Sequence, residues 1–359
     1  MSETRKKTRP VKVGPITIGG NAPIAVQSMT CTDTRDVEAT VAQIERLTEA
    51  GCEIVRVAVP DEKAAQAVAK IKGRIKIPLV ADIHFDHRLA IGAIRNGADC
   101  IRINPGNIGR DKMGQVIGEA KERGVSIRIG INSGSLEKDI LSRHGAPTAA
   151  ALVESALRNV HLFEEMDFHA IKLSVKASDV PAMIEANRAL SEATDYPLHL
   201  GVTEAGGLVN SAVKSSIGIG VLLNEGIGDT IRVSISGDPV AEVGVAYGIL
   251  RALDIRRVGP DIVSCPTCGR CEVDLFRLVE EMEDRLSGMK DYFKLALMGC
   301  VVNGPGEAAE ADIGIAAGRH TGLLFKKGKV IRKIREEEFA DALMEEVHAM
   351  LEKRVRSKE

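Results

Sequence analysis

Four cysteines, Cys265, Cys268, Cys271 and Cys300, are gathered in a C-terminal segment that reads SCPTCGRC and then MGCVVNGPGE. A C-x-x-C pair brings two thiolates on one tight turn to a common centre, and a distant cysteine closes the site from another segment. The spacing points to a metal, and both zinc and an iron-sulfur cluster satisfy it. A second C-x-x-C pair or a C-x-x-C-H arrangement would serve zinc better. Cys300 instead stands alone in a Gly/Pro-rich loop, an asymmetry that favours an open-sided cluster. Covalent haem attachment requires a histidine after Cys268, where Gly269 stands. The C-x-x-x-C-x-x-C spacing of radical clusters is missing, because only Pro266 and Thr267 separate the first two cysteines.

A second set of residues carries charge where a strand should be apolar. Arg56, Arg102, Arg128 and Arg232 lie inside β-rich runs, and Lys176 ends another. An unpaired buried guanidinium is costly, so such charges need carboxylate partners or a ligand. Planar guanidinium groups match phosphate oxygens two at a time, and their recurrence at corresponding strand positions implies a phosphorylated ligand, a diphosphate above all. Asp82 ends PLVAD and Glu204 ends HLGVTE, so two carboxylates share the same end of the strands. One is placed to move protons and the other to orient a hydroxyl, unless each only balances an arginine. Asn132 and Ser234 add uncharged hydrogen-bonding groups. His84 and His87 read as structural. IGIG near residue 218 and GIGD near residue 226 lack the strand-first G-x-G-x-x-G context of a dinucleotide site, and no P-loop or G-x-S-x-G elbow occurs.

The elements that must position these groups are legible in the rhythm of the chain. Eight short β-rich runs, IAVQSMT, EIVRVAVP, PLVADIHF, CIRINPGN, SIRIGIN, AIKLSVK, PLHLGVTE and TIRVSIS, alternate with amphipathic stretches such as DVEATVAQIERLTEAG. Eight strand-helix units in this length predict a closed (β/α)8 TIM barrel rather than an open doubly wound sheet, with its site at the C-terminal ends of the strands. The rhythm changes after Asp254. The expected domains are 1–257, a substrate-binding barrel, and 258–359, a second α/β domain whose strands YFKLALMGCVV and ADIGIAAG frame the cysteine loops. In the tail, Phe339, Leu343, Val347 and Leu351 recur at helical spacing, as one packed face requires.

Composition bounds the rest. With 44% hydrophobic residues in 359, the chain has material for a large core. A net charge of −2 and 3% aromatics, with no Trp, argue against a nucleic-acid partner, which needs a basic field or stacking platforms. No run approaches the roughly 18 apolar residues of a spanning helix. The basic N-terminal MSETRKKTRP is read as a flexible arm, not a secretory signal. A cytoplasmic location is expected, with Cys31, Cys52 and Cys100 as thiols in the core.

QSMT, INPGN, SVKASD, LGVTEAGG, SCPTCGR and MGCVVNGPGE together resemble the family of bacterial 4-hydroxy-3-methylbut-2-enyl diphosphate synthases of the non-mevalonate isoprenoid pathway, over nearly the whole chain. The resemblance implies a barrel joined to a cluster domain similar to those of sulfite and nitrite reductases. It implies 2-C-methyl-D-erythritol 2,4-cyclodiphosphate as substrate, opened and reductively dehydroxylated by two electrons passed through a [4Fe-4S] cluster. Cys265, Cys268, Cys300 and Glu307 become the cluster ligands, where the residues alone favour Cys271 over Glu307. Binding roles follow for Arg56, Arg102, Arg128, Asn132, Lys176, Glu204, Arg232, Ser234 and Asn303, and for Asp82. The implied partners are reduced flavodoxin or ferredoxin and a second copy of the chain, in a head-to-tail homodimer whose sites are shared between subunits. Two rivals remain from the residues themselves: a non-redox dehydratase using an open iron as Lewis acid, and a zinc-stabilised protein that merely binds a phosphorylated metabolite.

Overall fold

The computed structural model describes residues 5–300, 306 and 310–356. The chain divides into two compact units, Met1–Arg256 and Arg257–Glu359. Asn303 and Glu307, singled out from the sequence, lie outside the described residues.

The first unit begins with an antiparallel hairpin, β1 (Val11–Val13) and β2 (Ile16–Ile18). Eight parallel strands follow: β3 (Ala25–Met29), β4 (Ile54–Ala58), β5 (Leu79–Asp82), β6 (Cys100–Ile103), β7 (Ser126–Asn132), β8 (Ile171–Lys176), β9 (His199–Leu200) and β10 (Thr230–Ile231). Their order is β8-β7-β6-β5-β4-β3-β10-β9, and a parallel bridge between Leu173 and Leu198 joins the two ends. This is the nearly closed eight-stranded barrel expected from the alternating pattern. The intervening helices are α1 (Val37–Glu49), α2 (Glu62–Lys72), α3 (His87–Arg95), α4 (Arg110–Arg123), α5 (Lys138–His144), α6 (Ala149–Glu165), α7 (Val180–Ala193), α8 (Leu208–Asn224) and α9 (Pro239–Ala252).

Local chemistry sets these boundaries. Asp36, Asp61, Asp86, Asp179 and Asp238 each accept a backbone N–H in the first turn of the helix that follows, which starts α1, α2, α3, α7 and α9 just past the strand ends. Along β7 the side-chain period of two sends Ile127, Ile129 and Ile131 to the helix layer and leaves Ser126, Arg128, Gly130 and Asn132 for the interior. The hairpin packs Val13 and Ile18 with Ala25, Ile54, Val80 and Cys100, which stand at or near the starts of β3 to β6, so it plugs the N-terminal end of the barrel. Strands of three residues are too short to show in the sequence pattern.

Two expectations are corrected here. Residues 5–10 are not a loose arm: Arg5 pairs with the buried Asp229 at 3.0 Å, the Lys6 N–H donates to Gly226 O, and Arg9 bonds Asp195. Basic residues that read as solvated find partners far along the chain. Cys31 is not in the core; it follows β3 at the barrel mouth, exposed, with its Sγ accepting from Gln43 Nε2 at 3.0 Å. Cys52 and Cys100 are buried, and burial pushes the Cys52 thiol up to about 12.

The second unit is a five-stranded sheet in the order β11 (Asp261–Ser264), β12 (Lys294–Met298), β13 (Ile313–Gly318), β14 (Thr321–Lys326), β15 (Lys329–Arg335). The first three are parallel and the last two complete an antiparallel meander. Helices α10 (Leu275–Arg285) and α11 (Phe339–Arg356) pack onto it through a core that includes Leu278, Met282, Leu295, Ile315, Phe339, Leu343 and Val347. No helix among the described residues is long and apolar enough to cross a membrane.

Candidate active site

At the C-terminal ends of the barrel strands a cavity of about 190 Å³ is lined by seven residues named from the sequence: Arg56, Asp82, Arg102, Asn132, Lys176, Arg232 and Ser234. His84, Ser174 and Thr203 line it too. Ser174 shares the inward face of β8 with Lys176, and Thr203 is two residues beyond the inward Gly201, so strand alternation alone would have found both. His84, read as structural, stands with Nε2 3.7 Å from Asp82 Oδ2.

Two carboxylates organise the cations. Asp82, 5% exposed, faces Arg102 NH1 at 3.3 Å and Arg56 Nε at 3.7 Å. Burial opposes its ionisation, but Arg56, His84 and Arg102 more than offset that and hold it well below the usual carboxylate range. Arg102 also donates to Gly130 O at 3.1 Å. A Cβ at Gly130 would collide with the Arg102 guanidinium and force it to shift. The second carboxylate, Glu242, was missed because it comes from helix α9 rather than from a strand. Its oxygens accept from Arg232 at 2.8 and 3.2 Å, from Ser28 Oγ at 2.8 Å and from the Ile235 N–H at 3.1 Å.

Arg128 is drawn from the same register as Arg102 but does not line the cavity. It is buried in the barrel interior, where NH1 donates to Gln27 Oε1 at 2.5 Å and Nε and NH2 have no partner among the described residues. Burial and the neighbouring arginines push Arg128 down to about 9 and Arg56 to about 10, values that leave both charged at neutral pH. The Lys176 Nζ, also buried, has no hydrogen-bond partner among the described residues. Arg56, Arg102, Arg128 and Arg232 therefore outnumber Asp82 and Glu242 by four to two before Lys176 is counted. At the cavity lining itself Arg56, Arg102 and Arg232 stand against Asp82, and such an excess of buried cation is chemically suited to a polyanion. Glu204 lies just past Thr203 at the rim, exposed and outside the cavity lining, with φ at 53°. A left-handed backbone at a non-glycine residue is uncommon and gathers at functional rims.

In the second unit the cysteines stand at the ends of two paired parallel strands. Cys265 follows β11, and its Sγ accepts the Gly299 N–H at 3.3 Å beside Cys300, which follows β12. Cys268 is exposed, and hydrogen bonds from the Arg270 backbone and side chain hold its thiol below the ordinary value; the same guanidinium interacts with Cys300. Cys271 differs. Its Sγ donates to Val273 O at 3.3 Å, close enough to Gly299 that a Cβ there would collide with it, while it shares with Cys265 a place against the core of the unit. Among the described residues these thiols do not close into a three-ligand set by themselves. Thiols that receive a backbone N–H and an arginine's field are nonetheless chemically suited to ligate an iron-sulfur group, whose sulfurs are tuned by such bonds.

The comparisons with known proteins bear on both units. The family model of the GcpE TIM-barrel domain matches residues 8–247, and that of the GcpE protein C-terminal domain matches 261–349. Among curated proteins, the 4-hydroxy-3-methylbut-2-en-1-yl diphosphate synthase (flavodoxin) of Caldanaerobacter subterraneus subsp. tengcongensis is 58% identical over 352 residues, covering 98% of this chain and 99% of its own. The protein of the same name from Bacillus subtilis is 56% identical over 349 residues, covering 97% and 93%. Among solved structures, a type I 3-dehydroquinate dehydratase from Clostridium difficile aligns with a TM-score of 0.50 at 16% identity, over 69% of this chain and 98% of its own, a likeness of barrel fold alone. The chain thus belongs to the GcpE family, the 4-hydroxy-3-methylbut-2-en-1-yl diphosphate synthases, and is an enzyme.

Proposed function

We propose that the chain reduces 2-C-methyl-D-erythritol 2,4-cyclodiphosphate to 4-hydroxy-3-methylbut-2-enyl diphosphate. Two adjacent C–O bonds break and a C=C bond forms. Two electrons and one proton are consumed, one hydroxyl leaves as water and the freed phosphate oxygen keeps its negative charge. The observation that carries this reading is the excess of arginine over carboxylate around the 190 Å³ cavity, which suits a cyclic diphosphate. Arg56, Arg102 and Arg232 hold and orient the phosphate oxygens, and Asn132 and Ser234 hydrogen-bond the remaining polar edges. Asp82, kept ionised by its arginines, orients a hydroxyl and is a poor proton donor. Glu204, outside the arginine cage at the rim, is the carboxylate left to deliver the proton.

Cys265, Cys268 and Cys300 would hold a [4Fe-4S] cluster, with Glu307, outside the described residues, on the fourth iron and Asn303 beside it. Bound there, the cluster supplies electrons one at a time from reduced flavodoxin, the donor that the relatives' names carry, or from ferredoxin. The active form is a head-to-tail homodimer in which each barrel works with the cluster unit of its partner. Mixing Arg56→Ala and Cys300→Ala subunits checks this, because a heterodimer regains one intact site; a confirmed heterodimer without activity refutes sharing.

The deciding experiment is electron paramagnetic resonance, with iron and sulfide analysis, on anaerobically purified, dithionite-reduced protein with and without the cyclic diphosphate. A four-iron signal that changes on adding the ligand supports the reading. Stoichiometric zinc without iron, in protein made under iron-replete conditions, overturns it, and turnover without any reductant assigns a non-redox dehydratase instead.

A further inference from the structure

Lys176 ends β8 as a lining residue of the cavity, buried at 6% exposed. Its Nζ makes no hydrogen bond among the described residues. It passes close to Gly201, where a Cβ would stand 2.6 Å from it and 2.5 Å from the Arg232 carbonyl oxygen. The amine is therefore buried against the barrel wall without an acceptor among the described residues.

The charged groups around it are nearly all of one sign. Arg56 on β4, Arg128 on β7 and Arg232 just past β10 act on Lys176 as positive neighbours. His199, on β9, is buried, and burial with the neighbouring cations holds its imidazole well below the ordinary value, so it is neutral. Glu242, on α9, is the carboxylate acting on Lys176, and its oxygens are already engaged with Arg232, Ser28 and the Ile235 N–H. Asp82, across the cavity on β5, faces Arg56 and Arg102. Arginine must stay charged in such surroundings, whereas a lysine can discharge by losing a proton, and burial and the arginines act in the same direction here.

We propose that Lys176 stands as a neutral amine in the ligand-free cavity and takes up one proton from solvent when a diphosphate binds, so that anion binding and charging of this side chain are one linked event. The inference rests on the diphosphate reading above and adds to it the charge state of the receptor. Each phosphorus of a cyclic diphosphate carries one strongly acidic oxygen, already ionised, so the proton is acquired by the protein and not by the ligand. The sign of the linkage follows. Affinity is flat at low pH, where Lys176 is charged in both states, and falls as pH rises, by about tenfold per unit while only the bound form is protonated.

Isothermal titration of the full chain with the cyclic diphosphate at pH 8, in buffers of different ionisation heat, measures the protons exchanged. Wild type takes up about one proton per ligand. Lys176→Met binds more weakly and takes up none, and Lys176→Arg, permanently charged, binds without uptake; circular dichroism establishes that each variant is folded. Absence of binding by wild type removes the diphosphate reading and the linkage with it. Binding by wild type without proton uptake, or uptake that survives in folded Lys176 variants, leaves the diphosphate reading standing and overturns the linkage.

Discussion

Asp82 is the carboxylate on which the arginine cage depends, and replacing it tests the electrostatic account most directly. Asp82→Asn keeps the shape and removes one negative charge lying 3.3 Å from Arg102 NH1 and 3.7 Å from Arg56 Nε. At an effective dielectric near 20 these attractions are each worth about 5 kcal/mol in gross terms. Desolvation of the three ions offsets much of that, and removing one member of a buried pair typically costs about 3–5 kcal/mol. For a unit of this size the loss corresponds to a fall of roughly 6–20 °C in the barrel transition. Differential scanning calorimetry of the full chain in low-salt buffer measures it. Because the carboxyl is held below its unfolded range, its contribution is present above about pH 4 and fades as pH falls through the folded value, so the difference between wild type and variant persists at neutral pH and shrinks only in acid. Inorganic pyrophosphate should protect the variant more than wild type, since an anion replaces the missing counter-charge. A variant that melts within about 1 °C of wild type at pH 7, or that pyrophosphate protects no better, refutes the view that Asp82 neutralises this cage.

Other substitutions probe neighbouring parts of the argument. Gly130→Ala places a methyl against the Arg102 guanidinium and should weaken pyrophosphate binding by roughly 10–150-fold, the worth of a charged hydrogen bond, with near-wild-type secondary structure; titration calorimetry reads it. Cys265→Ser, Cys268→Ser and Cys300→Ser should each lose bound iron after anaerobic reconstitution, while Cys271→Ser keeps it, because that thiol is engaged with Val273 O; iron analysis separates the four. Gly299→Ala drives a methyl into Cys271 Sγ and toward Leu275, and should destabilise the second unit by about 1–3 kcal/mol in urea unfolding.

Much of this was legible in the sequence because barrel strands advertise themselves. Uninterrupted runs such as SIRIGIN combine β-branched residues with a period of two, and five aspartates mark the helix starts that separate them. Charged and polar residues in or beside those runs named most of the cavity lining, since a charge on an inward strand position has little choice of destination. What stayed hidden depends on tertiary partners. Glu242 reads as one more helix carboxylate until α9 lays it against Arg232. Arg128 reads like Arg102, and only the closed barrel shows that one reaches the cavity and the other stops beneath it against Gln27. The engagement of Cys271 with Val273 O is likewise invisible in spacing, because it depends on how the segment folds back on itself.

The ties made by residues 5–9 also govern when the barrel can form during synthesis. Arg5 meets Asp229 across 224 positions of sequence, and Lys6 and Arg9 reach Thr194, Asp195 and Gly226. Residues 5–9 thus wait during synthesis for nearly the last strand of their unit, about 11–45 s at ordinary elongation rates. Until then β3 has no β10 beside it, and the nascent sheet exposes an unpaired edge. Chaperone dependence should accordingly concentrate in this interval and end as Asp229 emerges.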